Sequence, residues 1–147
     1  MSSHNRIEVM HGVNLDQLGR RPSEHYGDLT LDQLEQQIEG WANALGLSVR
    51  FFRTNHEGAF VEHLHGLVDF ADGVILNPGA WTHYSWAIRD AAESAGVPIA
   101  EVHLSDVDSR EEWRQLSVLD GLTSLRVAGK GPEGYKDALE FLAEAVS

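Results

Sequence analysis

Cysteine is absent from the 147 residues of this chain. The absence excludes a disulfide framework, a thiolate nucleophile and a zinc site with cysteine ligands. Basic residues are also scarce, since 11 lysines and arginines stand against 23 aspartates and glutamates, for a formal charge of −12. A chain with so few cations lacks the basic face that binds nucleic acid, so we expect no nucleic-acid partner.

Long apolar runs are missing as well. No segment approaches the roughly 18 apolar residues of a membrane-spanning helix, so we expect no membrane partner. The first residues, Met1 to Arg6, contain no apolar stretch of the kind that a secretion signal requires. We therefore expect a cytoplasmic protein. Because 42% of the residues are apolar, we expect the chain to form one domain over residues 1–147.

Short apolar segments alternate with helical patterns along the chain. The segments that predict strands are Ile7–Met10, Ser48–Arg53, Gly73–Leu76, Val97–His103 and Ser124–Ala128. Helices are predicted after the cap residue Thr30 and over about 58–70, 84–95 and 132–146, with a helical turn within 110–116. The alternation predicts an α/β fold, namely a flavodoxin-like three-layer sandwich with a five-stranded parallel sheet in the order 2-1-3-4-5.

Polar side chains gather after the predicted strands. Ligands of such sheets bind outside the carboxyl ends of the strands, near the switch point between the first and third strands. The residues expected there are Asn14, Arg20, Arg21, Tyr26, Asn55, Asn77, His83, His103, Ser105, Arg110 and Arg114. Several of the few arginines thus meet at one mouth, which favours a small anionic ligand.

His103 ends the fourth predicted strand and follows Glu101 by two positions. Residues two apart on a strand face the same side. A carboxylate beside a histidine stabilises the protonated ring and fixes its orientation, which suits a general acid. The alternative is a buried histidine whose neighbour merely satisfies its hydrogen bond. His83 has two interpretations as well, because it either contacts the ligand or caps the helix that follows.

Two further patterns are weak. Gly129–Gly134 has the spacing GxGxxG of dinucleotide sites, but the expected acidic residue about 20 positions on would fall past the last residue, so we interpret it as a tight turn and expect no cofactor. His63 and His65 lie two apart on a predicted helix and point to different faces. Since no HExxH motif is present either, we expect no metal.

Several segments together resemble the type II 3-dehydroquinate dehydratases over nearly the whole chain. They are His11–Gly19, Arg21–Gly27, Asn55–Gly58, Leu76–Ser85, Arg89–Asp90, Glu101–Ser105 and Arg110–Arg114. That family has the flavodoxin-like fold, needs no cofactor or metal and forms a dodecamer built from trimers. The resemblance implies a dehydratase that converts 3-dehydroquinate, an anionic cyclic acid of the shikimate or quinate pathways, into 3-dehydroshikimate by anti elimination through an enolate.

The resemblance also implies roles for individual residues. Tyr26 is similar to the base that removes a proton next to the ketone, and Asn14 to the residue that steadies the enolate through an ordered water. His103 is similar to the acid that protonates the leaving hydroxyl, and Glu101 to the residue that orients it.

The other matched residues would hold the substrate or the base. Arg21 and Arg110 resemble the arginines around the base and a mobile lid at about 19–28, and Asp90 resembles a residue that reaches the site of a neighbouring subunit. The groups similar to those that hold substrate are Asn77, His83, Leu104, Ser105 and Arg114.

The chain also departs from the pattern of that family. His11 and Val13 stand where asparagine and proline are usual, Asp108 stands where histidine is common, and Gln115 and Leu116 replace two histidines. These changes leave open a second hypothesis, the same elimination on a related cyclic hydroxy-keto acid. A third hypothesis is a non-catalytic flavodoxin-like binding module, because a fold does not fix a function.

Overall fold

A computed structural model describes residues 5–147. Its sheet has five parallel strands in the order β2-β1-β3-β4-β5, which confirms the predicted fold. The strands are β1 (Arg6–His11), β2 (Ser48–Arg53), β3 (Gly73–Asn77), β4 (Ile99–His103) and β5 (Leu125–Ala128). The helices are α1 (Ser23–Tyr26), α2 (Leu31–Ala44), α3 (Glu57–Phe70), α4 (Trp86–Glu93) and α5 (Glu133–Val146).

Two apolar cores flank the sheet. Alternate strand residues face opposite sides, so Val9 packs with α2 and α5 whereas Met10 packs with α3 and α4. β3 is buried along its whole length, as expected for a strand that is covered on both faces. Together these contacts form the three layers of the sandwich.

Local signals in the sequence place both ends of α2. Thr30 caps α2 by accepting a hydrogen bond from the backbone of Gln33, whose side chain bonds back to the backbone of Thr30. Gly46 follows the same helix with φ 75°, a conformation that glycine adopts readily. Among the helices of residues 5–147, none combines the length and the apolar character that crossing a bilayer requires.

The structure differs from the predicted elements mainly in its short helices. The predicted loop after β1 contains α1 and a 3₁₀ turn at Leu15–Gln17. The helix predicted over 84–95 begins only at Trp86, because Gly79–His83 forms a 3₁₀ turn that Ser85 separates from α4. The predicted turn within 110–116 is the 3₁₀ turn Glu112–Gln115. Most of these differences lie at the carboxyl edge of the sheet.

Candidate active site

A cleft opens at the carboxyl ends of β1, β3 and β4, beside the point where the strand order reverses. The free space in and in front of it, open solvent at its mouth included, is about 440 Å³. Its polar lining consists of Asn14, Arg21, Tyr26, Asn77, His83, His103, Ser105 and Arg114. The rest of the lining is Val13, Leu15, Gly79, Ala80, Leu104 and Val107. Most of the site residues predicted from the sequence therefore meet in one cleft.

Two glycines allow the loops of this cleft to approach each other. A Cβ on Gly12 would lie 2.3 Å from the carbonyl oxygen of Pro78, and a Cβ on Gly79 would lie 2.5 Å from that of Val13. Gly79 also has φ 66°, which side chains rarely adopt. The loops that follow β1 and β3 are therefore in backbone contact, and no larger residue fits at either position.

Tyr26 ends α1, and its phenolic oxygen accepts hydrogen bonds from two arginines. Arg21 Nη2 lies 2.6 Å from Tyr26 Oη, and Arg110 Nη1 lies 2.5 Å from it. The Arg21 guanidinium also covers the ring, with Cζ 3.7 Å from the ring centroid. Because arginine stays protonated in proteins, both contacts favour negative charge on the phenolic oxygen.

The arginines of the cleft repel one another. Burial lowers the pKa of Arg21, Tyr26 opposes this shift, and the positive charges of Arg114 and Arg110 add to it. Two acceptors hold these neighbours, because Arg110 Nη1 donates to Ser105 Oγ at 3.3 Å and Arg114 Nε donates to a carboxylate oxygen of Glu111 at 3.1 Å. A bound anion would relieve the remaining repulsion.

Glu101 and His103 form a buried pair on β4. Glu101 Oε2 lies 2.6 Å from His103 Nε2, so the two side chains share one face as predicted. Ser117 Oγ donates to the same carboxylate oxygen at 3.0 Å, and Arg126 Nε lies 3.4 Å from it. Burial alone would raise the pKa of Glu101, but His103, Ser117 and Arg126 together hold it below the usual range. The pair therefore holds an ionised carboxylate against the imidazole.

His83 presents a neutral imidazole beside this pair. Its Nδ1 donates to the backbone carbonyl of Leu116 at 2.7 Å, and its ring centroid lies 6.3 Å from that of His103. Burial lowers the pKa of His83, the carbonyl opposes this, and the nearby charges of His103 and Arg114 lower it further. With Nδ1 as the donor, Nε2 of the neutral ring is an acceptor for a hydroxyl group in the cleft.

Asn77 is held at both ends of its side-chain amide. Its Oδ1 accepts from the backbone N–H of Gly79 at 3.2 Å, and its Nδ2 donates to Tyr135 Oη at 3.2 Å. Tyr135 is fully buried on α5, and burial raises its pKa to about 12. The phenol therefore stays neutral and keeps Asn77 in one orientation at the floor of the cleft.

Asn14 stands in a left-handed backbone conformation, with φ 70°. Its backbone N–H donates to Asn55 Oδ1 at 2.8 Å, and Asn55 Nδ2 donates in turn to Asp16 at 3.0 Å. The loop after β2 thus fixes the loop after β1, and the Asn14 side chain is left to line the cleft.

Other predicted residues lie outside the cleft. Asp90 is exposed on α4 and does not line the cleft of its own chain. Gly129–Gly134 forms the turn between β5 and α5, as interpreted from the sequence, and also stays outside the lining. Within residues 5–147, no group of three or more histidine and carboxylate side chains is arranged to hold a metal ion.

Three residues that support the site were not predicted from the sequence, namely Ser117, Arg126 and Tyr135. Arg126 had a recognisable signal, because a charged residue in the otherwise apolar segment Leu125–Ala128 requires a partner inside the sheet. Tyr135 and Ser117 had none, since each acts through a contact with a residue distant in the sequence.

Comparison with known proteins places the chain and its architecture in one class. The sequence profile described as dehydroquinase class II matches residues 5–143. The chain therefore belongs to the class II dehydroquinase family.

Individual relatives agree with this assignment. A 3-dehydroquinate dehydratase of Thermotoga neapolitana is 45% identical over 142 residues, which cover 97% of both chains. A crystal structure of type II dehydroquinase from Propionibacterium acnes superposes with a TM-score of 0.90 at 38% identity, over 97% of this chain and 99% of the other. A 3-dehydroquinate dehydratase-like protein from Bifidobacterium longum superposes with a TM-score of 0.72 at 31% identity, over 97% and 98%.

Proposed function

We propose that this chain dehydrates 3-dehydroquinate to 3-dehydroshikimate by anti elimination through an enolate. One observation carries the proposal. Tyr26, bonded to the guanidinium groups of Arg21 and Arg110, lines the same cleft as His103, which is bonded to Glu101. A base with stabilised negative charge and an acid oriented by a carboxylate are the two groups that this elimination needs.

The steps follow from these positions. Tyr26 takes a proton from the carbon next to the ketone, and the electron pair of that C–H bond moves to the carbonyl oxygen. Asn14, through an ordered water, steadies the resulting enolate. The enolate then re-forms the ketone and expels the hydroxyl group, which takes a proton from His103 and leaves as water.

The remaining polar groups of the cleft suit a cyclic carboxylate with hydroxyl groups. Arg114 offers a positive charge, while neutral His83 and the fixed amide of Asn77 offer hydrogen bonds of defined direction. The backbone of Leu104 and the hydroxyl of Ser105 complete this set. The substrate would thus be held by groups of the two connections that follow β3 and β4, which positions the reacting carbon between base and acid.

Departures from the family pattern differ in their distance from the substrate. His11 is fully buried, with Nε2 3.0 Å from Glu35, and does not line the cleft, whereas Val13 does. We therefore assign no direct substrate contact to His11. Val13 contacts the cleft, so it is the substituted residue that would decide between 3-dehydroquinate and a related cyclic hydroxy-keto acid.

The proposal also includes a mobile lid and a contact between subunits. Residues 19–28 would act as a lid, because they carry both Arg21 and Tyr26 and so couple closure to assembly of the base. Asp90 would act in the cleft of a neighbouring copy within a dodecamer of trimers. The exposed Tyr84 and Trp86 beside α4 support such an interface, since large aromatic side chains are enriched at interfaces.

The decisive experiment follows ultraviolet absorbance after 3-dehydroquinate is added, since the conjugated enone of the product absorbs. Tyr26→Phe should lower kcat about 10²- to 10⁴-fold while the fold is retained, because it removes the base. Glu39→Gln, at an exposed position of α2 outside the cleft, is the control and should keep the kcat of wild type. A folded wild type that produces no absorbance change would reject the activity, and a related acid turned over at least about tenfold faster would replace the substrate.

A further inference from the structure

Arg126 lies directly across from Glu101 on the neighbouring strand. In the parallel register of β4 and β5, Glu101 pairs with Arg126, so both side chains project from adjacent positions of the sheet. Arg126 Nε lies 3.4 Å from Glu101 Oε2, and Arg126 Nη1 lies 3.7 Å from Asp108 Oδ2. β5 is the edge strand, so the arginine reaches inward from the rim to a fully buried carboxylate.

We propose that Arg126 is a positioning residue that keeps Glu101 ionised while His103 gives up its proton. The inference rests on the proposed elimination, in which the proton of the imidazolium passes to the leaving hydroxyl as the C–O bond breaks. The products of that step are water and a neutral imidazole. Glu101 then loses the positive charge that had compensated its own.

A buried carboxylate beside a neutral ring would otherwise bind a proton, because burial disfavours its charged form. A protonated Glu101 would have to lose this proton before it could again stabilise a positive charge on His103. Arg126 stays positive in both states of the ring. The carboxylate therefore keeps its charge and continues to accept the Nε2 hydrogen bond that orients His103.

The other groups that face Glu101 and His103 cannot supply this permanent positive charge. Ser117 donates a neutral hydroxyl, His83 is neutral, Asp108 is negative, and Arg114 is not within 4.0 Å of Glu101. Within residues 5–147, Arg126 is the only lysine or arginine that forms an ion pair with Glu101. The compensating charge thus comes from one residue.

The Arg126 contact acts through charge rather than through a directed hydrogen bond. Arg126 Nε is buried and has no hydrogen-bond partner within residues 5–147, and the same holds for Glu101 Oε1. Removing the charge while keeping the aliphatic stem is therefore a clean test. A second arginine provides a matched control, because Arg50 on edge strand β2 lies across from buried Glu8 with Nε 3.6 Å from its Oε1, outside the cleft.

The test measures kcat and KM for 3-dehydroquinate against pH in Arg126→Leu, Arg126→Lys and Arg50→Leu. Without the Arg126 charge, the pair binds its proton more tightly and is a weaker acid. The alkaline limb of the kcat profile should then rise by about 0.5 to 1 pH unit and kcat should fall about three- to tenfold, with KM within about twofold. Arg126→Lys should restore most of both quantities, and Arg50→Leu should leave the profile of wild type.

A second readout does not depend on turnover. Histidine ring signals followed by NMR against pH, with His103 assigned by its loss in His103→Gln, should show the same upward shift in Arg126→Leu. Arg126→Gln serves for this comparison as well should the leucine variant not fold. If the alkaline limb of the kcat profile and the titration of the His103 ring are both unchanged in Arg126→Leu, the proposed role of Arg126 is wrong. An inactive wild type would instead reject the proposed reaction, while the ring titration would still decide the inference.

Discussion

Two clusters of glutamate, histidine and arginine lie toward opposite edges of this sheet, and they share one arrangement. In the β4 cluster, formed by Glu101, His103 and Arg126, the carboxylate lies 2.6 Å from the imidazole and 3.4 Å from the guanidinium. In the β1 cluster, formed by Glu8, His63 and Arg50, the corresponding distances are 2.6 Å and 3.6 Å. In both clusters the arginine stands on the edge strand, directly across from the glutamate.

The clusters differ in their position along the strands and in what their histidine rings contact. Glu8 pairs in register with Val74 and Glu101 with Leu76, so the β4 cluster lies two residues nearer the carboxyl edge of the sheet. His103 lines the cleft there. His63 comes from α3 instead, and its ring stacks on Phe52 at a centroid distance of 3.8 Å.

The two clusters show that the same arrangement of charges can serve stability in one place and catalysis in another. A buried carboxylate needs compensation wherever it stands, and a histidine with an arginine supplies it in both clusters. Ligands of a parallel sheet bind at its carboxyl edge, so only a cluster at that edge presents its histidine ring to a ligand. We therefore expect the β1 cluster to act on stability alone and the β4 cluster to act on stability and catalysis.

The largest expected effect comes from replacing the two histidines. His103→Gln should lower kcat about 10²- to 10⁴-fold, because glutamine keeps a hydrogen-bond donor for Glu101 but carries no acidic proton. His63→Gln should leave kcat within about twofold and lower the free energy of unfolding by about 1 to 3 kcal/mol. Absorbance assays and urea unfolding of both variants measure these changes. Comparable losses of activity in the two variants would end the distinction between the clusters.

The β4 cluster also marks how far the sequence alone predicts the site. Glu101 and His103 are two apart on one strand, so their shared face follows from strand periodicity. The strand order follows similarly from the alternation of strands and helices. Tyr26, by contrast, has no local pattern that distinguishes it from an ordinary loop aromatic, and its prediction as a base depends on the resemblance of whole segments to a family.

The residues that were not predicted depend on register or on distant contacts. Which residue of β5 lies across from Glu101 is set by the packing of the connection between the two strands, and that connection is 21 residues long (104–124). α1 escaped prediction because four residues are too few to show a helical period.

Replacing the two glutamates should have a smaller effect on catalysis. Glu101→Gln should lower kcat about ten- to hundredfold, because the amide still contacts His103 but no longer stabilises its positive charge. Glu8→Gln should change kcat less than about twofold, since the β1 cluster does not line the cleft. The same absorbance assay compares the two, with circular dichroism to verify their folds. A loss in Glu8→Gln as large as that in Glu101→Gln would mean that both glutamates act through stability.

The smallest expected effect is the contribution of Glu101 to stability in acid. Burial raises the pKa of this carboxyl, but His103, Ser117 and Arg126 together bring it below its ordinary value of 4.5. A lowered pKa stabilises the fold above the ordinary value, and that stabilisation is lost as pH falls through the pKa of the folded state.

Urea unfolding of wild type and Glu101→Gln between pH 7 and pH 3 measures this contribution. Wild type should be more stable by about 1 to 2 kcal/mol at pH 7, and the difference should narrow as pH falls below about 4.5. Glu39→Gln, at an exposed position of α2, is the control and should stay within about 0.5 kcal/mol of wild type throughout. A difference that does not narrow would mean that the β4 cluster stabilises the fold through packing and not through the charge of Glu101.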